Sequence, residues 1–201
     1  ALMVVAGNAV GHVTVYKDPL DRLGLAKPDC VALTHWLWDH TYGLPALDCP
    51  SIACTQTNLY LADMMRWDWS EEAMAERLRT GEDNEFCDRE IRVAYPDRSL
   101  ITIRQADIAF TDVLTLRLGG ITCELRQMEN PHTADGVMIY IPEEKVIFLG
   151  DADCEGHHHG REPLYKEKLD TLYRSMQRID FHTCVQGHET PVTREALLAY
   201  W

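Results

Sequence analysis

The sequence predicts a mixed α/β sandwich, in which two β-sheets pack together and helices cover them. Strand-like and helix-like stretches alternate over the first 60 residues, short strands joined by turns follow after about residue 90, and a strand and helices complete the chain. Both patterns occur within 201 residues, which suits a single domain covering residues 1–201.

The first half of the chain predicts parallel strands with helices between them. The run "LMVVAG" is typical of a buried strand, "HVTVYKDPLDRLGL" is helix-like with Pro19 disturbing it, and "DCVALTH" and "SIACTQ" are strands separated by a short helix or turn, "TYGLPAL". Two helices follow. We expect Thr57 or Asn58 to cap "TNLYLADMMRWDW", and Ser70 and Gly81 to bound "SEEAMAERLRT".

The second half predicts mainly short strands. These are "SLITIRQ", "IAFTDVLTLRLGG" and "ITCELRQME", and then "GVMIYIPEEKVIFLG", which is typical of a hairpin turning at residues 142–145. An amphipathic helix, "PLYKEKLDTLYRSMQRI", a strand, "FHTCVQGH", and a helix, "TREALLAYW", complete the pattern. Because the chain starts directly on an apolar strand, we expect the fold's first N-terminal strands to precede residue 1 in the parent protein.

Composition limits the possible partners. The formal net charge of -13 argues against nucleic acid and anionic membranes, which attract clustered Lys and Arg. No apolar run approaches the roughly 20 residues of a membrane span. Seven scattered cysteines without a CxxC pair favour free thiols in a reducing cytosol over a disulfide framework. We therefore expect a cytoplasmic protein that acts on a small molecule, and the oligomeric state stays open.

Several candidate metal ligands occur where apolar strands end. His35, His132, Asp151 and His188 each follow a strand or strand-like run, and the turn "LTHWLWDH" adds Asp39 and His40. Imidazole and carboxylate groups are the usual ligands of zinc and related ions. A single histidine at a strand end is more often a hydrogen-bonded structural residue, but the whole set favours a metal site.

The motifs around these residues resemble those of the metallo-β-lactamase fold superfamily. "LTHWLWDHTYG" resembles its HxHxDH motif, "NPHTADGVMIYIPEEKVIFLGD" its next histidine, hairpin and aspartate, and "VQGHETP" its last histidine motif. The order and spacing of the motifs agree with the superfamily over nearly the whole chain. The resemblance implies a four-layer αβ/βα sandwich with a metal site at one edge of the sheets.

The resemblance also implies a ligand set. His35 and His132 would bind a first metal ion, Asp39, His40 and His188 a second, and Asp151 would bridge the two. Leu37 stands where the superfamily has the third ligand of the first ion, and Val5 stands where it commonly has an aspartate. We therefore expect one zinc ion at the Asp39, His40, Asp151 and His188 site and a weak or absent second ion, with manganese or iron possible.

The implied activity is hydrolysis by metal-activated water of an ester, lactam, thioester or phosphodiester, with Asp39 as the catalytic residue. Leu37 is expected to weaken it. The pocket rim is predicted to include Trp36, Trp38, Cys154, His157, His158 and His159, although tryptophans are more often core residues and the histidine triplet more often a solvated loop. One of these histidines or Cys154 could replace the missing ligand.

Two other functions stay open. Because Leu37 and Val5 both replace polar residues near the site, the chain could be a catalytically inactive metal-binding variant. An iron-dependent oxidoreductase is the other alternative, which a leucine at position 37 disfavours because relatives with two iron ions carry a carboxylate there.

Overall fold

The structure, a computed structural model, describes residues 1–156 and 165–201. Its strands are β1 (Leu2–Val4), β2 (Cys30–Ala32), β3 (Ser51–Cys54), β4 (Ile108–Phe110), β5 (Val113–Leu118), β6 (Ile121–Gln127), β7 (Val137–Ile141), β8 (Val146–Gly150), β9 (Thr183–Gln186) and β10 (Val192–Thr193). Its helices are α1 (Val10–Arg22), α2 (Trp38–Thr41), α3 (Thr55–Met64), α4 (Glu71–Thr80), α5 (Glu85–Ala94), α6 (Tyr165–Met176) and α7 (Arg194–Tyr200). Chain contacts divide the described residues into two compact units.

The first unit, Ala1–Ala109, is built on a sheet with the strand order β1-β2-β3-β4. β1, β2 and β3 are parallel, so each connection must cross over the sheet, and α1 makes the first crossover. Val31 and Leu33 are fully buried in the apolar core beneath these strands, together with Leu61 from α3. The buried strand β2 therefore leads directly into the predicted metal-binding turn.

The second unit comprises Phe110–Gly156 and the described residues from Tyr165 to Trp201. Its sheet has the order β10-β9-β8-β7-β6-β5, and all neighbouring pairs are antiparallel except β8 and β9. The hairpin predicted at residues 142–145 is confirmed as β7 and β8. Leu172 and Met176 of α6 and Leu197 of α7 are buried in the core of this unit.

Two predictions about local structure are wrong. The cap of α3 is Cys54, whose Sγ accepts a hydrogen bond from the backbone N–H of Thr57, and neither Thr57 nor Asn58 takes that place. The stretch "SLITIRQ" forms no strand. The Asn58 side chain bonds both the N–H and the carbonyl of Ala106, the residue after the stretch, and Arg104 within the stretch donates to the distant carbonyl of Leu44.

The end of β1 carries backbone strain. Val5 has φ of 61°, in the left-handed region that a β-branched side chain rarely adopts, while its N–H donates to the carbonyl of Ala32 at 2.8 Å. Such residues cost about 1–3 kcal/mol and persist only where their surroundings hold them in place. The next residue, Ala6, is bonded to the turn that carries the candidate ligands, as described below.

We expect Val5→Asn to raise the free energy of unfolding by about 1 kcal/mol, because asparagine tolerates the left-handed conformation far better than valine. Urea unfolding of the parent and the variant would measure this difference. Val4→Asn is the matched control, since Val4 is a regular strand residue with the same side chain and should only lose stability. Equal losses in both variants would show that Val5 stores no strain.

Asp83 is a buried carboxylate of the first unit and is only 8% exposed. Burial raises its pKa to about 6, and a hydrogen bond from the N–H of Asn84 and the charge of Arg77 offset this only in part. The Arg77 guanidinium lies over the rings of Trp67 and Trp69, 4.5 and 4.9 Å from their centroids. The folded state therefore holds the Asp83 proton more tightly than the unfolded chain does.

We expect Asp83→Asn to stabilise the protein at pH 8 by about 1–2 kcal/mol. The raised pKa sets an upper bound of about 3 kcal/mol, in which the attraction of Arg77 is already included, and the buried amide of asparagine still carries a desolvation cost. Since the folded pKa lies above the unfolded value, the destabilisation is complete above pH 6 and disappears as the pH falls toward 4. Chemical unfolding between pH 4 and 8 would measure it, with the exposed Glu82→Gln as a control expected to show no such trend.

No helix among the described residues is long and apolar enough to cross a membrane. None of the seven cysteines forms a disulfide bond.

Candidate functional site

The candidate ligands of the first unit lie in one tight turn after β2. Thr34 and His35 follow the strand, and the single-turn helix α2 carries Asp39 and His40. The Thr41 hydroxyl donates to the carbonyls of residues 36 and 37, at 3.1 and 3.0 Å, which closes the turn on itself. A short polar side chain at the end of one helical turn therefore fixes the path of the backbone between the ligands.

The end of β1 supports this turn from beneath. The N–H of Ala6 donates to the carbonyl of His40 at 2.8 Å, and the N–H of Gly43 donates to the carbonyl of Gly7 at 3.0 Å. A Cβ at Gly43 would lie 2.0 Å from the carbonyl oxygen of Ala6, so only glycine fits there. The backbone of His40 is thus anchored to the strained segment that begins at Val5.

The three candidate ligands of this turn lie together. His40 Nε2 is 3.4 Å from Asp39 Oδ2, and the rings of His35 and His40 have centroids 4.1 Å apart. Both imidazoles are 2% exposed. His35 Nδ1 shares a hydrogen bond of 3.1 Å with the Thr34 hydroxyl, which orients the ring and leaves Nε2 as the nitrogen suited to a metal ion.

Leu37 stands at the N-cap position of α2 and is 7% exposed. Its carbonyl accepts hydrogen bonds from the N–H of His40 and the hydroxyl of Thr41, both at 3.0 Å. The backbone at this position therefore helps to hold the turn, whereas the side chain contributes no ligand atom. The turn is fully formed although the side chain at position 37 is apolar.

The aromatic residues of the same segment differ in burial. Trp38 is 8% exposed and meets Tyr42 edge-on, with ring centroids 6.4 Å apart, in the apolar cluster that also includes α4 and α5 residues. Trp36 is half-buried and lies 5.2 Å from the ring of Tyr60. A place at the pocket rim stays a prediction for both tryptophans.

In the second unit, Asn130 organises the loop that holds His132. Its side-chain oxygen accepts from the N–H groups of His132 and Thr133, both at 3.0 Å, and its amide donates to the carbonyl of Met128. A Cβ at Gly136 would lie 2.0 Å from the Asn130 amide nitrogen. A buried amide packed against a glycine thus fixes the start of this loop, which sequence reasoning did not identify.

A backbone carbonyl determines that Nδ1 of His132 carries a proton. Its Nδ1 lies 3.0 Å from the carbonyl oxygen of Glu155, and since a carbonyl only accepts, Nδ1 carries the proton. In its neutral form the ring presents an Nε2 lone pair, and this Nε2 is 3.8 Å from Asp151 Oδ2. A lone pair facing a carboxylate favours a cation between them, so the donor chemistry fits a metal ion.

Asp151 follows β8 at a backbone irregularity. Gly150 has φ of 59° and coincides with a register shift between β8 and β9, and its carbonyl accepts from the N–H of Gly187 at 2.9 Å. This link brings the ends of the two strands together, and His188 Nε2 lies 3.2 Å from Asp151 Oδ2. One oxygen of the buried Asp151 therefore faces two imidazoles, those of His132 and His188.

The remaining predicted rim residues follow Asp151. Cys154 is exposed, and its N–H donates to the carbonyl of Asp151 at 2.8 Å. The predicted positions of His157, His158 and His159 lie outside the described residues.

Comparison with known proteins gives the family. The profile of the metallo-beta-lactamase superfamily matches residues 11–198. None of the curated proteins compared by sequence matches the chain.

Solved structures of that fold are similar over almost the whole chain. A metallo-beta-lactamase from Pontibacter korlensis is 17% identical with a TM-score of 0.65, covering 99% of this chain and 79% of that one. The DIM-1 metallo-beta-lactamase is 18% identical with a TM-score of 0.67, covering 100% and 78%. The sec-alkyl sulfatase PisA1 is 14% identical with a TM-score of 0.66, covering 99% and 35%. With its two sheets, its seven helices among the described residues and its match to this profile, the chain belongs to the metallo-β-lactamase superfamily.

Proposed function

We propose that the protein is a metal-dependent hydrolase with one well-formed metal site. The observation that carries the proposal is the Asp151 carboxylate, which faces two imidazole nitrogens at 3.2 and 3.8 Å in a chain of this superfamily. Two ligand groups are proposed. One consists of Asp39, His40, Asp151 and His188, and the other consists of His35, His132 and Asp151.

The two proposed groups differ in completeness. The first has four side-chain ligands, two carboxylates and two imidazoles, which suits zinc, manganese or iron. The second has three and shares Asp151 with the first, and Leu37 adds nothing to it. Because zinc sites usually have four ligands, with one position open to water in enzymes, we expect the first group to hold zinc and the second to hold an ion weakly or not at all.

The proposed chemistry is attack of water on an ester, lactam, thioester or phosphodiester. A bound metal ion lowers the pKa of water and polarises the bond under attack. Asp39, whose side chain is 22% exposed, is the proposed catalytic residue, since its carboxylate can orient the attacking water and take its proton. A cytoplasmic location is part of the same proposal and rests on the scattered positions of the cysteines in the sequence, which include no CxxC pair.

A catalytically inactive metal-binding protein is the second candidate. Leu37 is buried within the proposed ligand turn, and Val5 is strained at the end of β1. Both positions therefore carry apolar side chains where an active relative is expected to have polar ones. An iron-dependent oxidoreductase is a third candidate, which the leucine at position 37 disfavours.

Metal analysis and hydrolysis assays together test the proposal. The protein would be stripped with a chelator, reloaded with zinc, manganese or iron, and assayed against an ester, a lactam, a thioester and a phosphodiester. We expect about one tightly held zinc ion per chain and slow hydrolysis that the chelator abolishes and zinc restores. Tight metal binding without any hydrolysis would favour the inactive variant, and iron with redox activity would favour the oxidoreductase.

A further inference from the structure

Asp153 links three parts of the second unit to the turn after β8. Its Oδ2 accepts a hydrogen bond from Gln186 Nε2 at 2.6 Å and another from the indole N–H of Trp201 at 3.2 Å. Its backbone carbonyl accepts from the hydroxyl of Tyr165, the first residue of α6, at 3.1 Å. The turn after β8 is therefore tied to β9, to α6 and to the residue that follows α7.

The positions of these partners relate Asp153 to the candidate ligands. Asp153 lies two residues after Asp151, and Gln186 ends β9 two residues before His188. The register shift between β8 and β9 falls at this end of the two strands. Beyond β9, the N–H of Gly187 donates to the carbonyl of Gly150. The 2.6 Å bond between the Asp153 and Gln186 side chains is thus a second link across this pair of strand ends, where regular pairing stops.

We propose that Asp153 is a positioning residue for the metal site. Its carboxylate holds the end of β9 and Trp201 against the turn after β8, so that Asp151 and His188 keep the spacing of ligands to one ion. This inference rests on the proposed function, because it concerns how that site is held. In this proposal Asp153 contacts neither metal nor substrate. Gln186 and Trp201 contribute as the hydrogen-bond donors that its carboxylate holds.

The test is the zinc affinity of the stripped protein, measured by competition with a chromophoric chelator. We expect Asp153→Ala to raise the zinc Kd about 10- to 100-fold, as is usual when a group that orients ligands is lost. Asp153→Asn keeps an oxygen that can accept from Gln186, so we expect its Kd within about threefold of the parent. The visible spectrum of the cobalt-loaded protein should change in Asp153→Ala and be restored in Asp153→Asn.

Tyr140→Phe is the matched structural control. It removes one hydrogen bond of the same unit, the 2.6 Å bond from Tyr140 to the Asp180 carbonyl at the opposite end of β9, and should leave the zinc Kd unchanged. If Asp153→Ala is poorly folded, Gln186→Leu breaks the same link and should weaken zinc in the same way.

The outcomes separate this inference from the proposed function. If the parent binds no metal, the proposed function fails and Asp153 has no site to position. If the parent binds zinc and both Asp153→Ala and Gln186→Leu bind it equally well, the positioning role is wrong and the proposed function stands. An Asp153→Asn variant as weak as Asp153→Ala would also overturn the inference, because the charge and not the hydrogen bond would then matter.

Discussion

We expect Leu37→His to bind close to two zinc ions per chain where the parent binds about one, and to hydrolyse substrate at least about tenfold faster in kcat/KM, equal to about 1.4 kcal/mol of barrier. The substitution would add an imidazole to the proposed group of His35, His132 and Asp151 and bring it to four ligands, the usual number for zinc. A second ion would then stabilise charge on both the attacking and the leaving oxygen.

The same substitution should make folding depend more strongly on metal. Leu37 is 7% exposed, so replacing it by a polar ring costs about 2–4 kcal/mol in the stripped protein. Zinc binding offsets this cost only if the ring becomes a ligand. Thermal unfolding with and without zinc should therefore show a lower Tm for the stripped variant and a larger rise on reloading than in the parent.

Leu37→Asn is the control for this prediction, because it introduces a polar side chain of similar size that is a poor zinc ligand. It should lose the same stability without gaining metal or activity. If Leu37→His behaves like Leu37→Asn in metal content, stability and rate, then position 37 does not belong to a ligand group.

The sequence indicated the candidate metal-binding turns because the residues proposed as ligands are encoded locally. Asp39 and His40 are adjacent, His35 follows an apolar strand directly, and Asp151 follows the hairpin, so each turn carries its own signal. The groups that hold the ligands in place carry no such signal. Asn130 and Asp153 are single polar residues whose partners are revealed only when the chain folds.

Errors in the fold prediction have a related cause. The stretch "SLITIRQ" alternates like a strand, but its Arg104 side chain donates to the carbonyl of Leu44, and the Asn58 side chain donates to the carbonyl of the residue after the stretch, Ala106. Leu44 and Asn58 both lie far away in the sequence. Helix α5 was missed although a local signal exists. Asn84 caps it through the N–H of Cys87, and Glu85 follows the cap, a pattern typical of a helix start. The first error required tertiary information, whereas the second did not.

Asp151→Asn is expected to have the largest effect on metal binding, since Asp151 belongs to both proposed ligand groups. Structural zinc sites with four ligands bind with about 10–16 kcal/mol, or about 2.5–4 kcal/mol per ligand. Losing one strong ligand should therefore raise the zinc Kd about 100- to 1,000-fold and remove hydrolysis with it. Asp180→Asn removes an exposed carboxylate of the same unit, which is paired with Lys145, and should change neither quantity.

The stability of the Asp151→Asn protein should change in opposite directions with and without metal. Asp151 is 6% exposed, so without a bound cation its charge is buried at a cost that the imidazoles of His132 and His188 offset only in part and that a neutral amide avoids. The stripped variant should consequently be at least as stable as the stripped parent in urea, whereas the zinc-loaded variant should be less stable than the zinc-loaded parent. A loss of stability in both states would mean that Asp151 serves the fold. We expect this reversal between the stripped and the zinc-loaded states for a carboxylate whose role is to bind metal. Such a residue is kept for its function although its buried charge destabilises the metal-free fold.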